Sequence, residues 1–427
     1  MTAAVLAAGA RTFASLRKHR NYRLFFSGQV VSLTGTWMQN TALAWFVVEL
    51  THSPVAVGLL AFCRFIPFTV FGLFAGVLAD RLDNRRMVMV TQVLAMLVSV
   101  ALAVLAFSGR AEVWHAYALA ALGGTALVFD APGRHSLTFQ MVGRDELSNA
   151  VALNASLFNA SRVVGPAVAG VVIAAAGVGV CFALNALSFL AVLAALLRMR
   201  AADLVPVERD ERPSVFGGIR DGLVYALHTP RIRVVLLLTL VVSTVGFNFH
   251  VLVPVLASDT LHVGARTFGA LSASFGGGAL LGALLAAGLA RASFKALIAG
   301  TGGFSLTLLA LAPQQTVWAC AVLLFFIGVC FTLWTSNSQA ILQLTVPNHL
   351  RGRVLSLWLL AFGGAAPLGG LLAGWLADVG GTELAFVVAG TAGLAMTVVG
   401  FTLRPHMRAA PPALAATTEP TGASRAG

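Results

Sequence analysis

Long uncharged apolar runs alternate with short polar punctuation along almost the whole chain. Leu24 to Val48 and Met87 to Gly109 hold no charged residue, and Val55 to Ala79 holds only Arg64. A helix of about 20 predominantly apolar residues crosses a bilayer, so each run predicts one crossing. A turn of about seven residues separates the second run from the third, which makes the pair a tight membrane hairpin. At its tip lies GVLADRLDNRR, Gly76 to Arg86, a dense charged knot. Arg-rich short loops stay on the cytoplasmic side. LTHSP, Leu50 to Pro54, is then an outer turn, with Pro54 placed to start helix 2.

A fourth run begins near Val113, with Trp114 and Tyr117 at the interface, and returns inward to Asp130 and Arg134. GRDELSN, Gly143 to Asn149, is expected as the next inner loop. Val163 to Leu197 carries no charge over 35 residues. It has to hold most of helix 5, a turn at Gly177 to Gly179, and helix 6. Arg198 to Asp221 is the one extended polar stretch and divides the chain. Beyond it the plan repeats, with helices near Val234 to Leu256, Thr267 to Ala290, Phe294 to Ala312, Val317 to Ile341, Val354 to Ala377 and Leu384 to Leu403. The expected organisation is a six-helix bundle over residues 1–197, a cytoplasmic linker over 198–221, a second six-helix bundle over 222–405, and a disordered tail rich in Ala, Pro and Thr over 406–427.

Two observations support twelve crossings. Of the 28 Lys and Arg, all but Arg64, Arg134 and Arg162 in helices and Arg110 and Arg266 in outer turns fall on segments expected to be cytoplasmic. A faint internal repeat pairs QMVGRDELSNAV (Gln140 to Val151) with QLTVPNHLRGRV (Gln343 to Val354), and YRLFFSGQVVSL with IRVVLLLTLVVS, as in transporters built from two similar halves. The knot is vestigial in the second half, where Leu289, Ala290 and Arg291 survive without an aspartate.

Composition closes off other classes. With 58% hydrophobic and 10% charged residues, the chain is an all-α integral membrane protein, not a soluble globule. The charge of +12 is spread over many short loops, including the lead-in RTFASLRKHRNYR, so it argues for the anionic cytoplasmic leaflet and against nucleic acid. Cys63, Cys181, Cys320 and Cys330 lie inside apolar runs without CxxC spacing and are expected to be small buried hydrophobes, not metal ligands. No HExxH, Walker loop or GxSxG motif is present, so hydrolysis and primary ATP-driven transport lack a motif, and neither an enzyme nor a cofactor is expected.

The knot resembles the helix 2 to helix 3 signature of the major facilitator superfamily, roughly G-x-L-A-D-R-x-G-R-R/K. GTWMQNTALAWFVVELTHSP, FDAPGRHSL (Phe129 to Leu137) and NASRVVGPAVAG (Asn159 to Gly170) extend the likeness to the branch that includes macrolide exporters and the enterobactin exporter, over about residues 15 to 405. The resemblance implies the major facilitator fold, with two pseudo-symmetric six-helix bundles and both termini cytoplasmic, in an inner membrane of bacterial type. It also implies a monomer that moves a small molecule, with protons as the expected driving ion, and the Gly-Pro segment tilts the direction toward efflux. Where the signature has Gly and then Arg, this chain has Asp83 and Asn84. In the family, the helix 2 aspartate and the loop arginines lock the halves together, a role that carries over to Asp80, Arg81 and Arg85, with Asp130 as an ionic partner. The alternative is a solvated loop that merely sets topology.

Counting residues places Arg64 and Arg162 near mid-depth, where a charge needs a partner or a wet cavity. They either make a cavity electropositive for an anionic or oxygen-rich substrate, or are satisfied by carbonyls and helix amides. Asp130 and Arg134, one turn apart around Pro132, form a local pair or a proton site. Asp130, Glu49 and His250 are the candidates for carrying protons. Trp37, Gln39, Asn40, Asn154, Asn159 and Asn248 offer polar and aromatic cavity contacts, or interhelical hydrogen bonds. Gly165, Pro166 and Gly170 are expected to shape and pack helix 5, and GGAAPLGG, Gly363 to Gly370, to do the same in helix 11. The expected function is proton-coupled export of an amphiphilic organic compound, a drug or siderophore. Uptake of an organic anion, and a sensor or scaffold that transports nothing, are the alternatives.

Overall fold

The computed structural model describes residues 13–206, 215–288 and 292–403. The tail expected over 406–427, residues 207–214 of the linker and the vestigial knot at Leu289 to Arg291 lie outside the described residues. Among those described, the secondary structure is helical without strands. Nine helical segments are long and apolar enough to cross a membrane.

Two of the nine are hairpins. Val113–Ala176 runs for 64 residues, but Gly143 leaves the helical region at φ 69°, a conformation open to glycine at little steric cost. Asn154 donates to Thr138 Oγ1 at 3.4 Å across 16 residues. In a continuous helix those side chains would stand about 24 Å apart. The chain has folded back, giving α4 (residues 113–142) and α5 (residues 144–176). The second hairpin turns at Gly380 and Gly381. Before the turn, a Cβ on Gly374 would meet the Pro54 carbonyl; after it, Gly390 abuts Leu309 and Gly400 abuts Ile298, running back along Phe294–Leu311. With Arg20–Thr51 added, we infer twelve crossings. They are α1 (Arg20–Thr51), α2 (Pro54–Arg81), α3 (Asn84–Ser108), α4, α5, α6 (Val178–Leu197), α7 (Pro230–Gly246, continued by Phe249–Val255), α8 (Ala265–Gly288), α9 (Phe294–Leu311), α10 (Val317–Thr345), α11 (Asn348–Leu359, continued past a π-helical turn) and α12 (residues 382–403).

Three expectations about loops are corrected. The knot is mostly helix: α2 runs to Arg81 and α3 starts at Asn84, leaving only Leu82 and Asp83 between them. Asp83 makes this possible as the N-cap of α3, its carboxylate accepting from the Arg86 amide at 3.0 Å. GRDELSN is helical except at Gly143, because a short lead-in helix, Ala14–Lys18, docks on it. Ser15 Oγ donates to Asn149 Oδ1 at 2.7 Å, and Lys18 pairs with Glu146. Val215–His228, expected as linker up to Asp221, is a helix that packs on the start of α11, where a Cβ on Gly222 would lie 2.9 Å from Arg353 Cβ. Ser53 and Pro54 do start α2, Ser53 accepting from the Ala56 amide.

The two halves meet along α2 with α11 and α5 with α8, backbone against backbone. A Cβ on Gly58 would sit 2.7 Å from the Gly370 carbonyl oxygen, and one on Gly269 2.6 Å from both the Pro166 carbonyl oxygen and Gly170 Cα. Trp45 stacks on Phe268 at 5.2 Å across the same seam. The face of α2 that carries Gly58, Ala61, Phe65 and Phe68 next presents Gly72, whose Cβ would meet nothing within 4 Å. Along α2 the described contacts with α11 run from Pro54 to Thr69, whose hydroxyl donates to the Gly364 carbonyl oxygen at 2.9 Å, and none is described nearer the knot.

A side chain at Gly269 has only backbone to displace. Gly269→Val is expected to destabilise the folded protein by about 1–3 kcal/mol through overpacking, read as a lowered melting temperature in detergent. Gly72→Ala, facing open space, is expected to leave it unchanged.

Candidate substrate cleft and its charged rim

Near mid-depth a group of side chains from both halves comes together and marks a candidate substrate site. From α5, the Arg162 guanidinium lies over Phe275 of α8 at 4.6 Å, Phe331 of α10 at 5.2 Å and Trp37 of α1 at 5.9 Å. Arg64 of α2 lies over its neighbour Phe65 at 5.7 Å, and Phe65 meets the His250 imidazole edge-on at 5.2 Å. Phe247 continues the path, 6.5 Å from His250 and stacked on Phe331 at 4.6 Å. An unbroken aromatic path thus connects the two arginines. His250 sits just past the break in α7 at Phe247 and Asn248, and its Nε2 is buried without a hydrogen-bond partner.

Among the described residues, neither Arg64 nor Arg162 makes a hydrogen bond or an ion pair. Carbonyl satisfaction, the bland alternative for buried arginines, is absent from their described contacts. Both side chains are half-buried. An unpaired charge at this depth is costly in hydrocarbon and tolerable against a water-filled cleft. Two guanidiniums among aromatic faces can hold an anionic or oxygen-rich group by charge-assisted hydrogen bonds.

The other expected cavity residues are placed differently. Trp37 belongs to this group and meets Phe158 edge-on at 5.5 Å, and Asn40, one turn away, is half-buried with no hydrogen bond among the described residues. Gln39 instead accepts from Asn185 of α6 at 2.9 Å. Asn154 accepts from the Tyr22 hydroxyl at 3.0 Å, and Asn159 donates to the Ala155 carbonyl of its own helix at 2.9 Å. Asn248 is buried beside Gly369 and donates to the Thr244 carbonyl at 2.8 Å, its Oδ1 unpartnered. Gln39 and Asn154 thus join helices, while Asn159 and Asn248 bond to carbonyls of their own helix. Gly165 lets α5 approach Trp37, and Pro166 and Gly170 carry the α5–α8 seam. The phenylalanines of the second half were missed. Their only signal was usage, 28 Phe against 3 Tyr.

The described contacts of Asp130, Arg134 and Arg85 stay within the first half. Asp130 is buried and fully satisfied: its carboxylate accepts from Thr91 Oγ1, Gln92 Nε2 and Arg134 Nε, each at 2.9 Å. Arg85 donates to the Leu196 and Leu197 carbonyls at the end of α6, at 2.9 and 3.3 Å. Arg81 is exposed, and the Asp80 side chain lies outside the described ones. Glu49, at the opposite rim, accepts from Trp45 Nε1 at 2.6 Å on its own helix. No cluster of His, Cys, Asp and Glu able to hold a metal occurs among the described residues.

The described residues thus form a helical membrane bundle in which two arginines and aromatic rings from both halves meet, and similarity to known proteins places it in a class of membrane transporters. The chain belongs to the transmembrane secretion effector family of the major facilitator superfamily, whose family model matches residues 10–420. It is similar to the staphyloferrin A transporter of Staphylococcus aureus, with 27% identity over 386 residues, 88% of this chain and 94% of that one. It is also similar to the multidrug efflux pump Tap of Mycolicibacterium fortuitum, with 28% identity over 386 residues, 88% of this chain and 93% of that one. Among solved structures, the nucleoside transporter NupG has the same fold, with a TM-score of 0.73 at 11% identity over 90% of this chain and 98% of that one.

Asp130 offers a test that needs no substrate. Asp130→Asn leaves the Arg134 charge without its counter-ion and is expected to cost about 3–5 kcal/mol of stability. Arg134→Leu added to it is expected to restore most of the melting temperature lost in detergent.

Proposed function

We propose that the protein is a secondary active exporter that moves an amphiphilic organic compound bearing anionic or oxygen-rich groups, siderophore-like or drug-like, by alternating access driven by protons. The observation that carries this reading is the pair of unpartnered guanidiniums, Arg64 and Arg162, at the closed end of the cleft. Relatives that transport staphyloferrin A and export drugs support export and this range of substrates. On this reading the knot faces the cytoplasm with both termini, the cleft is open to the cytoplasm, and the protein works as a monomer through its two six-helix domains. The Asp130–Arg134 pair couples the proton: protonation of the carboxylate frees Arg134 and loosens the rim that Asp80, Arg81 and Arg85 complete.

One observation favours the reverse direction. His250 adjoins Arg64 around Phe65, and a proton on this imidazole would strengthen anion binding. Mutual reinforcement of proton and anion is the linkage of a symporter, so uptake of an organic anion is the second reading, with His250 as its proton carrier.

Everted membrane vesicles carrying a proton gradient, offered a panel of siderophores and drugs, decide between them. Export predicts accumulation that Asp130→Asn abolishes and His250→Gln leaves intact; uptake predicts accumulation only in right-side-out vesicles, abolished by His250→Gln. Arg64→Gln and Arg162→Gln are each expected to weaken apparent affinity by about tenfold or more, the loss of one charge-assisted contact. Unchanged transport in both would remove the proposed site, and no movement in either orientation would leave the sensor or scaffold reading.

A further inference from the structure

The rings around Arg162 do not all belong to its own half. Arg162 and Trp37 are in the first half, whereas Phe275 and Phe331, the two nearest rings, are in the second. The Arg162 carbonyl is also at the seam, where a Cβ on Gly276 would come within 2.6 Å of it. The two rings are themselves anchored, Phe275 on Phe249 at 4.5 Å and Phe331 on Phe247 at 4.6 Å. In this arrangement the part free to swing is the long arginine side chain.

We propose that Phe275 and Phe331 compete with the substrate for Arg162, so that an anion must take the guanidinium off both rings before it is bound. The inference rests on the cleft being the substrate site, as in the reading above. A ring face attracts a guanidinium less strongly than a carboxylate that accepts two charge-assisted hydrogen bonds, so the anion wins, with its affinity reduced by what the rings give up. Because Arg162 and the rings lie on opposite halves at the inner end of the seam, the exchange also removes a contact between halves. Loading the cleft thereby loosens the closed side, and without an anion the same contact keeps it shut.

The sign of one effect separates competition from simple lining. Rings that only lined the cleft would hold the apolar body of a ligand, and removing them would weaken binding. Competition predicts the opposite. Fluorescein, a carboxylate-bearing amphiphile, is titrated into the purified full-length protein and followed by fluorescence anisotropy. Phe275→Leu with Phe331→Leu, which keeps bulk and removes the ring faces, is expected to tighten binding by about threefold to thirtyfold, the range spanned by loss of a cation–π contact. Each single variant is expected to show part of the change, and adding Arg162→Gln is expected to abolish it.

A second readout needs no ligand. With the native cysteines replaced, spin labels at Val151→Cys and Leu344→Cys, exposed positions of α5 and α10 toward the knot, report how far apart the halves stand. The leucine pair is expected to raise the population with the shorter distance. Weaker or unchanged fluorescein binding together with an unchanged distance distribution would overturn the proposal. If transport occurs only in right-side-out vesicles while the leucine pair still tightens fluorescein binding, the export reading falls and the competition at Arg162 stands; if Arg64→Gln and Arg162→Gln leave transport intact, the substrate site and the competition fall together.

Discussion

Two positive charges without counter-ions, held halfway through a hydrocarbon slab, set the terms for this fold. A guanidinium in such a place must face water, an anion or an aromatic face. Arg64 and Arg162 face the inner end of a cleft and rest on phenylalanines and a tryptophan. Close packing of the halves around both side chains would leave each charge desolvated and unpaired. On the proposed reading, water between the halves is what makes the two arginines tolerable, and they are what would select the substrate.

The seam is built on the opposite logic. Where the halves close, they do so through Gly58, Gly269, Gly370 and Gly374, with main chain against main chain and little for side chains to do. Between helices in lipid, close packing replaces the hydrophobic drive available in water. Such contacts are tight where made, and the same surfaces can part without stranding a buried ion pair. The contacts of Asp130 with Arg134, Arg85 with the α6 carbonyls and Lys18 with Glu146 lie inside the first half.

The depth of residues was legible in the sequence and their direction was not. Length and rise per residue suffice to put Arg64 and Arg162 near mid-depth, and the small residues Gly165, Pro166 and Gly170 announce close packing. Direction around a helix is read from the contrast between apolar and polar faces. In helices that are apolar on nearly every side that contrast is weak, so Gln39, Asn154 and Asn248 could be placed in depth but not turned toward the cleft or away from it. The structure turns them toward α6, Tyr22 and Gly369. Loop length failed for a related reason. Charges in GRDELSN and the knot suggest loops, yet capping by Asp83 and docking of Ser15 and Lys18 let helix continue through them.

By itself the sequence determined that this is a helical membrane protein, where its crossings fall, and that two arginines must sit deep among them. Those properties follow from hydropathy and length, which are additive along the chain. Only the tertiary structure decided that Phe275 and Phe331 meet Arg162, that His250 adjoins Arg64, and that the rim carboxylate Asp130 accepts from Thr91 and Gln92. These pairings join segments tens to hundreds of residues apart, or depend on which way a uniformly apolar helix is turned, and no local pattern encodes either.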